Sequence, residues 1–336
     1  MSEIFYCYGK KDFCENNEKC TQNCSYYNGK GGEYMPISTG VTKEYFTSER
    51  DYDYEIVCGN IKGNYPAYFK LPEKSTGTQK DQKSTDYCVA MVISSIAEAY
   101  WNRVLNIAEE HSESFIYGAF RAENSKSSGL IPTTAMQSWC DIGTVFKNDF
   151  DAALIEMPEI KELVSNHPEL TELAKHLKLS AYVNIRGNAT STKDEQIKDA
   201  LMKYNYGLLA IQDSHAMQLV GWDDAKEKYI LKDSYGAKKG DNGYVNVNKS
   251  SIDAIYLPLF EPVTLPFEDV PENAWYYNHV KHMYLANIMN GTSEKTFEPD
   301  KPITRAEAAA LCNRILKAVE TRDKILNDII NTKLNL

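Results

Sequence analysis

Hydrophobic residues along the chain change their period partway, and the change divides it. The stretch CVAMVISSIAEAYWNRVLNIAEE (88–110) sets apolar residues at helical spacing with no internal Gly or Pro, which predicts the strongest helix. A second helix is expected near IPTTAMQSWCDIG (131–143), started by Pro132 and stopped by Gly143, and a third over KDEQIKDALMKY (193–204). Beyond it the period drops to two. YGLLAIQ, HAMQLVGWDD, KYILKDSYG and GYVNVN alternate and are parted by Asp, Gly and Asn, so 181–260 reads as a mainly antiparallel sheet. Helices followed by strands imply an α+β domain of two halves with a cleft where they meet.

At 336 residues the chain exceeds what one core usually serves. Residues 1 to about 60 are rich in Cys, Tyr, Gly and Asn with weak periodicity, which suits a small loop-rich module. LFEPVTLPF (259–267), with two prolines, reads as a linker. The expected division is a Cys-rich N-terminal module (1–62), a main domain (63–260) and a C-terminal unit (261–336).

A formal charge of −10 without a basic stripe argues against nucleic acid as a partner. No run approaches the roughly 18 apolar residues of a membrane span, and the opening MSEIFYCYGKKDFC shows no secretory signal. Cys7, Cys14, Cys20 and Cys24 crowd the first 24 residues. Four thiolates could hold a structural Zn²⁺, although their spacings are longer than those of the usual closed sites. Two disulfides or free thiols are the competing readings.

Cys88 opens the strongest helix, whose partial positive charge favours a thiolate. A thiolate nucleophile needs a base, and of the six histidines only His215 opens an alternating strand. An imidazole base must be oriented by a third group, which Asp233 supplies at the end of the next strand, 18 residues on. The oxyanion of a tetrahedral intermediate needs a donor beside the Cys88 backbone N–H, and Gln82 lies six residues ahead of Cys88. Catalysis by this set needs no cofactor or metal.

The order Gln82, Cys88, His215, Asp233, in DQKSTDYC, SHAMQLVGW and KDSYGAKKGDNGY, resembles the papain family of cysteine peptidases. The resemblance covers roughly 63–260 and implies a papain-like two-lobe fold, with one helical and one antiparallel β lobe, acting on peptide or protein substrates. Three positions depart from the family pattern. Thr85 stands where a disulfide cysteine is usual, Asp233 where the family has asparagine, and Tyr235 where a tryptophan shields the histidine. By the same resemblance SSGLIPTTA corresponds to the loop that pairs with substrate backbone, making Ser128, Gly129 and Tyr235 candidate substrate contacts. A second reading is a catalytically idle scaffold that binds wall polymer or protein. A third is hydrolysis of peptidoglycan stem peptides.

Residues 267–316 resemble one S-layer homology repeat, with FEDVPENAW, a Gly turn, FEPDKPITRAE and a final apolar helix. Pro302, Thr304 and Glu307 form a helix-start signature with a capping box. The resemblance implies anchoring to pyruvylated secondary cell-wall polysaccharide and a cell-surface location, with Arg305, Thr304 and Glu307 at the polymer and Trp275 packed within the unit. Such anchors usually carry three repeats, so a lone one leaves an apolar face to cover. KAVETRDKILNDIINTKLNL is expected to form a separate terminal helix over part of it.

Overall fold

The computed structural model describes residues 52, 54–59, 61, 63–121, 128–260, 262 and 264–335, all within one compact unit. The four-cysteine stretch and its zinc or disulfide readings lie outside the described residues.

The described elements run, in chain order, α1 (Tyr54–Cys58), β1 (Tyr68–Lys70), α2 (Cys88–Leu105), α3 (Glu113–Ala119), α4 (Pro132–Asp141), α5 (Glu159–Ser165) and α6 (Glu169–Ala174). They continue with β2 (Leu179–Asn184), α7 (Lys193–Tyr204), β3 (Leu208–Gln212), β4 (His215–Asp223), β5 (Lys228–Lys232), β6 (Tyr244–Asn248) and β7 (Ala254–Phe260). The helices α8 (Tyr277–Leu285) and α9 (Arg305–Asn335) close the list.

Helices of the first half form one lobe, and the seven strands form a single antiparallel sheet in the order β2-β7-β3-β4-β5-β6, with β1 also paired to β4. The main core lies where α2 crosses the sheet. Trp101 and Trp139, both fully buried, meet the ring of Phe260 edge-on at 5.6 and 5.3 Å, so the end of β7 joins α2 to α4. α2 ends five residues before the apolar pattern does. Asn106 takes the left-handed conformation, φ 53°, while the Asn102 amide donates to the Glu109 carbonyl at 2.9 Å and folds the chain away.

Packing of the main domain begins ahead of the expected boundary at 63. Tyr54 is buried and donates to Asp199 of α7 at 2.8 Å, and the Tyr204 hydroxyl meets the Cys58 sulfur at 3.2 Å.

The C-terminal unit has its own small core of Phe267, Val270 and Val280, ringed by Tyr276, Tyr277, Tyr284 and Phe297. Asp269 ties its two ends by accepting the backbone N–H groups of Phe297 (2.8 Å) and Glu298 (2.6 Å). Two expectations fail here. Trp275 precedes α8 and is 84% exposed, because the three core side chains and their tyrosine rim already fill the interior, leaving the indole against Tyr276 and His279. The apolar and terminal helices are one continuous helix, since nothing between 305 and 335 breaks it. Its buried residues, Ile325 and Ile329, enter the main core rather than the repeat's own face.

Candidate active site

Cys88 is the first residue of α2, 4% exposed, with no acidic residue in the helix's first turn to oppose a thiolate. The preceding loop is fixed by Tyr87, whose ring stacks on Tyr117 at 3.9 Å and whose hydroxyl donates to the Ile155 carbonyl at 2.6 Å. His215 begins β4 after a two-residue turn in which Asp213 takes φ 54°. β5 pairs with β4 so that Gln218 faces Lys232. Carried one turn further, this register sets Asp233 and Tyr235 on the face of His215.

The side chains meet accordingly. His215 Nε2 lies 2.8 Å from Asp233 Oδ1, which also accepts the Ser234 N–H at 2.7 Å, and Asp233 is 4% exposed. With Nε2 engaged, Nδ1 is the ring nitrogen left free of Asp233, and Cys88 is close enough to bear on the charge of the ring. Tyr235 stacks over the imidazole at 4.9 Å, occupying the shielding position. Burial alone would depress His215, but the bond to Asp233, then the bond and charge of Cys88, push it up to about 9. The ring therefore holds its proton at neutral pH.

Gln82 is held from three sides: its Oε1 accepts from the Ser234 hydroxyl (2.6 Å), its Nε2 donates to the Thr85 carbonyl (2.6 Å), and its backbone N–H donates to the Ser234 carbonyl (2.7 Å). A primary amide has two N–H bonds, so one remains for an oxyanion.

Sequence reasoning missed the residues that carry this loop. Lys80 Nζ sits between Glu98 (2.5 Å) and Glu113 (2.6 Å), all three nearly buried, and Glu110 lies 3.4 Å away. This ammonium occupies the space among carboxylates that would otherwise resemble a cation site. Burial opposes its charge, yet the two glutamates hold its pKa well above the usual range. Lys232 Nζ donates to the carbonyls of Thr76 (2.9 Å), Gly77 (2.6 Å) and Thr78 (2.9 Å), and burial pulls it down to about 8. Gln79 Nε2 donates to the Asp233 carbonyl at 2.7 Å, and the side chain packs where a Cβ on Gly243, at φ 85°, would intrude. The one sequence signal was Glu98, the first charge in the apolar run of α2.

Of the substrate candidates, Gly129 is buried and Ser128 exposed. The Ser128 hydroxyl donates to Asp86, and its carbonyl accepts from the Tyr117 hydroxyl (2.5 Å) and Arg121 Nη1 (3.0 Å). This loop therefore abuts the segment that leads into Cys88.

In the C-terminal unit the capping box forms: Thr304 N–H donates to Glu307 Oε2 at 2.8 Å, and Glu307 N–H to Thr304 Oγ1 at 3.1 Å. Both side chains are thus committed to the helix start, and exposed Arg305 is the free member of the trio.

Among solved structures, xylellain, a cysteine protease from Xylella fastidiosa, superimposes with a TM-score of 0.50 over 65% of this chain and 94% of its own, at 14% identity. The fold is papain-like. Residues 266–309 match the family model of the S-layer homology domain. Two curated relatives align over short stretches: a cell surface protein of Thermoanaerobacter kivui, 42% identical over 53 residues, and an endoglucanase of Bacillus sp. (strain KSM-635), 35% identical over 49. These stretches are 16% and 15% of this chain, which spans only 7% and 5% of the two relatives. No helix among the described residues is long and apolar enough to cross a membrane.

Proposed function

We propose that this chain is a thiol peptidase held at the cell surface through its S-layer homology segment. The observation that carries the reading is the line Cys88–His215–Asp233, with the 2.8 Å bond behind the ring and an imidazole raised to about 9. In this mechanism the Cys88 thiolate adds to a peptide carbonyl, and the second Gln82 N–H and the Cys88 backbone N–H receive the oxyanion. Imidazolium His215 gives its proton to the leaving amine, so the C–N bond breaks and an acyl-enzyme remains. Water then attacks the thioester, His215 takes its proton, and the acid departs as the thiolate returns. Asp233 keeps the ring oriented and favours its charged form throughout.

Surface attachment is supported by the matched segment at 266–309, with exposed Arg305 available to an anionic sugar. Purified wall polysaccharide should sediment the wild-type chain and not an Arg305→Glu variant.

The peptidase test is hydrolysis of an unstructured protein such as casein by wild type and by Cys88→Ala, with circular dichroism to confirm folding. Wild type should cleave it, lose Cys88 selectively over Cys140 to an epoxide thiol inhibitor, and the variant should be inert. Equal turnover in the variant, or a wild type whose Cys88 reacts no faster than Cys140, would leave the idle-scaffold reading standing instead.

A further inference from the structure

His167 has a carboxylate at each ring nitrogen, and the two carboxylates come from different parts of the chain. Only 1% of the residue is exposed. Nδ1 lies 3.0 Å from Oε1 of Glu169, at the start of α6 in the helical lobe. Nε2, which has no hydrogen-bond partner among the described residues, faces Oδ2 of Asp328 on α9 across 3.3 Å. Burial would raise Glu169, but its own backbone N–H, then the bond and charge of His167 and the charge of Lys324 on α9, hold its carboxyl below the usual range. An ionised carboxylate only accepts, so Nδ1 carries a proton. A neutral ring then turns the lone pair of Nε2 toward Asp328, whereas an imidazolium offers it an N–H. One proton decides whether α9 is attracted or repelled at this contact.

Its position gives that proton leverage. α9 carries the C-terminal unit, and only Ile325 and Ile329 of its residues are buried, with clefts of about 640 and 530 Å³ opening beside Ile325. The other polar contact of this docking joins Arg322 to the Asn148 carbonyl and Asp149. Burial pushes the Asp149 carboxyl up against the pull of Arg322, with Glu109 adding to the rise and His282 opposing it. A carboxyl raised in the docked state binds its proton more tightly there, so docking gains as pH falls, the same sign as at His167.

We propose that protonation of His167 latches α9, and with it the C-terminal unit, onto the helical lobe, and that loss of this proton releases them. The latch does not depend on the chemistry at Cys88.

Hydrogen–deuterium exchange of the full chain reads the joint, with rates corrected for the intrinsic pH dependence of amide exchange and Cys88–Leu105 as internal reference. Wild type should protect 319–332 at about pH 5.5 and lose that protection about tenfold or more, relative to α2, at about pH 8.5, the two sides of the usual histidine range. One charge-assisted hydrogen bond lost in the interior gives a change of that size. His167→Gln should remove most of the pH difference, and so should Asp328→Asn, whose amide can donate to a neutral ring. Circular dichroism and the protection of α2 establish that both variants fold. Equal protection of 319–332 at the two pH values in wild type would overturn the latch, as would a difference that survives in both variants or that Asp149→Asn alone abolishes. Loss of protection at acidic pH on adding EDTA would overturn it too, because a metal ion rather than a proton would then bridge Nε2 and Asp328.

Discussion

Replacing Asp233 by asparagine isolates the charge behind His215 from the geometry that holds it. An asparagine Oδ1 can still accept from His215 Nε2–H and from the Ser234 N–H, the two bonds of 2.8 and 2.7 Å that Asp233 Oδ1 accepts. What disappears is the full negative charge. Hydrogen bonds to a charged group contribute about 1.5–3 kcal/mol against about 1 for neutral pairs, a loss of about 0.5–2 kcal/mol here. At about 1.4 kcal/mol per pH unit, His215 should fall by about one unit from its value of about 9. In the proposed mechanism the imidazolium is the working form, so the alkaline limb of kcat/KM, and of iodoacetamide alkylation of Cys88, should move down by about one unit in Asp233→Asn. The sign for stability agrees. Because folded His215 titrates above its ordinary 6.5, its pairing contributes fully below about 6.5 and is lost as pH rises through about 9. The variant should therefore be less stable than wild type at pH 6, with the gap closing toward pH 10. An alkaline limb that stays where it was would refute the assignment of Asp233 as the charge that raises His215.

On the proposed mechanism Gln82→Ala should lower kcat by about 100- to 1000-fold, the cost of one oxyanion donor, while Cys88 alkylates at the wild-type rate because the side-chain contacts of Gln82 are to Ser234 and Thr85 and not to His215 or Asp233. Lys80→Met should cost about 3–5 kcal/mol in urea unfolding at pH 7, because Glu98 and Glu113 are left buried without their cation. Adding Glu98→Gln to that variant should recover part of the loss, and full additivity of the two changes would show that the pair is not coupled.

The helix that carries Cys88 and the strand that carries His215 were legible because each rests on a single periodicity, 3.6 residues in α2 and two in β4. Asp233 followed from the register between neighbouring strands, which the hydrophobic alternation fixes. Gln82 was legible by its spacing to Cys88, but the groups that aim it were not. Lys80, Lys232 and Ser234 act through contacts across 18 to more than 150 residues of chain, and no local pattern marks a lysine as buried when its partners arrive from α2, α3 and the segment at 76–78. Trp275 failed for a different reason. Its motif position implied packing within the unit, whereas here the small core is already closed by its own tyrosines and the indole stays exposed.

The attachment of the C-terminal unit follows from the same economy of apolar surface. α9 is about 46 Å long at 1.5 Å per residue, and its first half belongs to the repeat while its second half lies on the helical lobe. Two isoleucines, 325 and 329, are buried at that docking, contributing about 3–6 kcal/mol together. Polar contacts register the helix: Arg322 Nε donates to the Asn148 carbonyl at 3.0 Å with Asp149 at 3.4 Å, and buried His167 lies between Glu169 (3.0 Å) and Asp328 (3.3 Å). Such a sum is close to the net stability of a whole domain but far below the burial that holds α2 on the sheet. The docking therefore opens before the core under α2 does, and a pull on the repeat would be absorbed at Ile325 and Ile329 while Cys88, His215 and Asp233 keep their places.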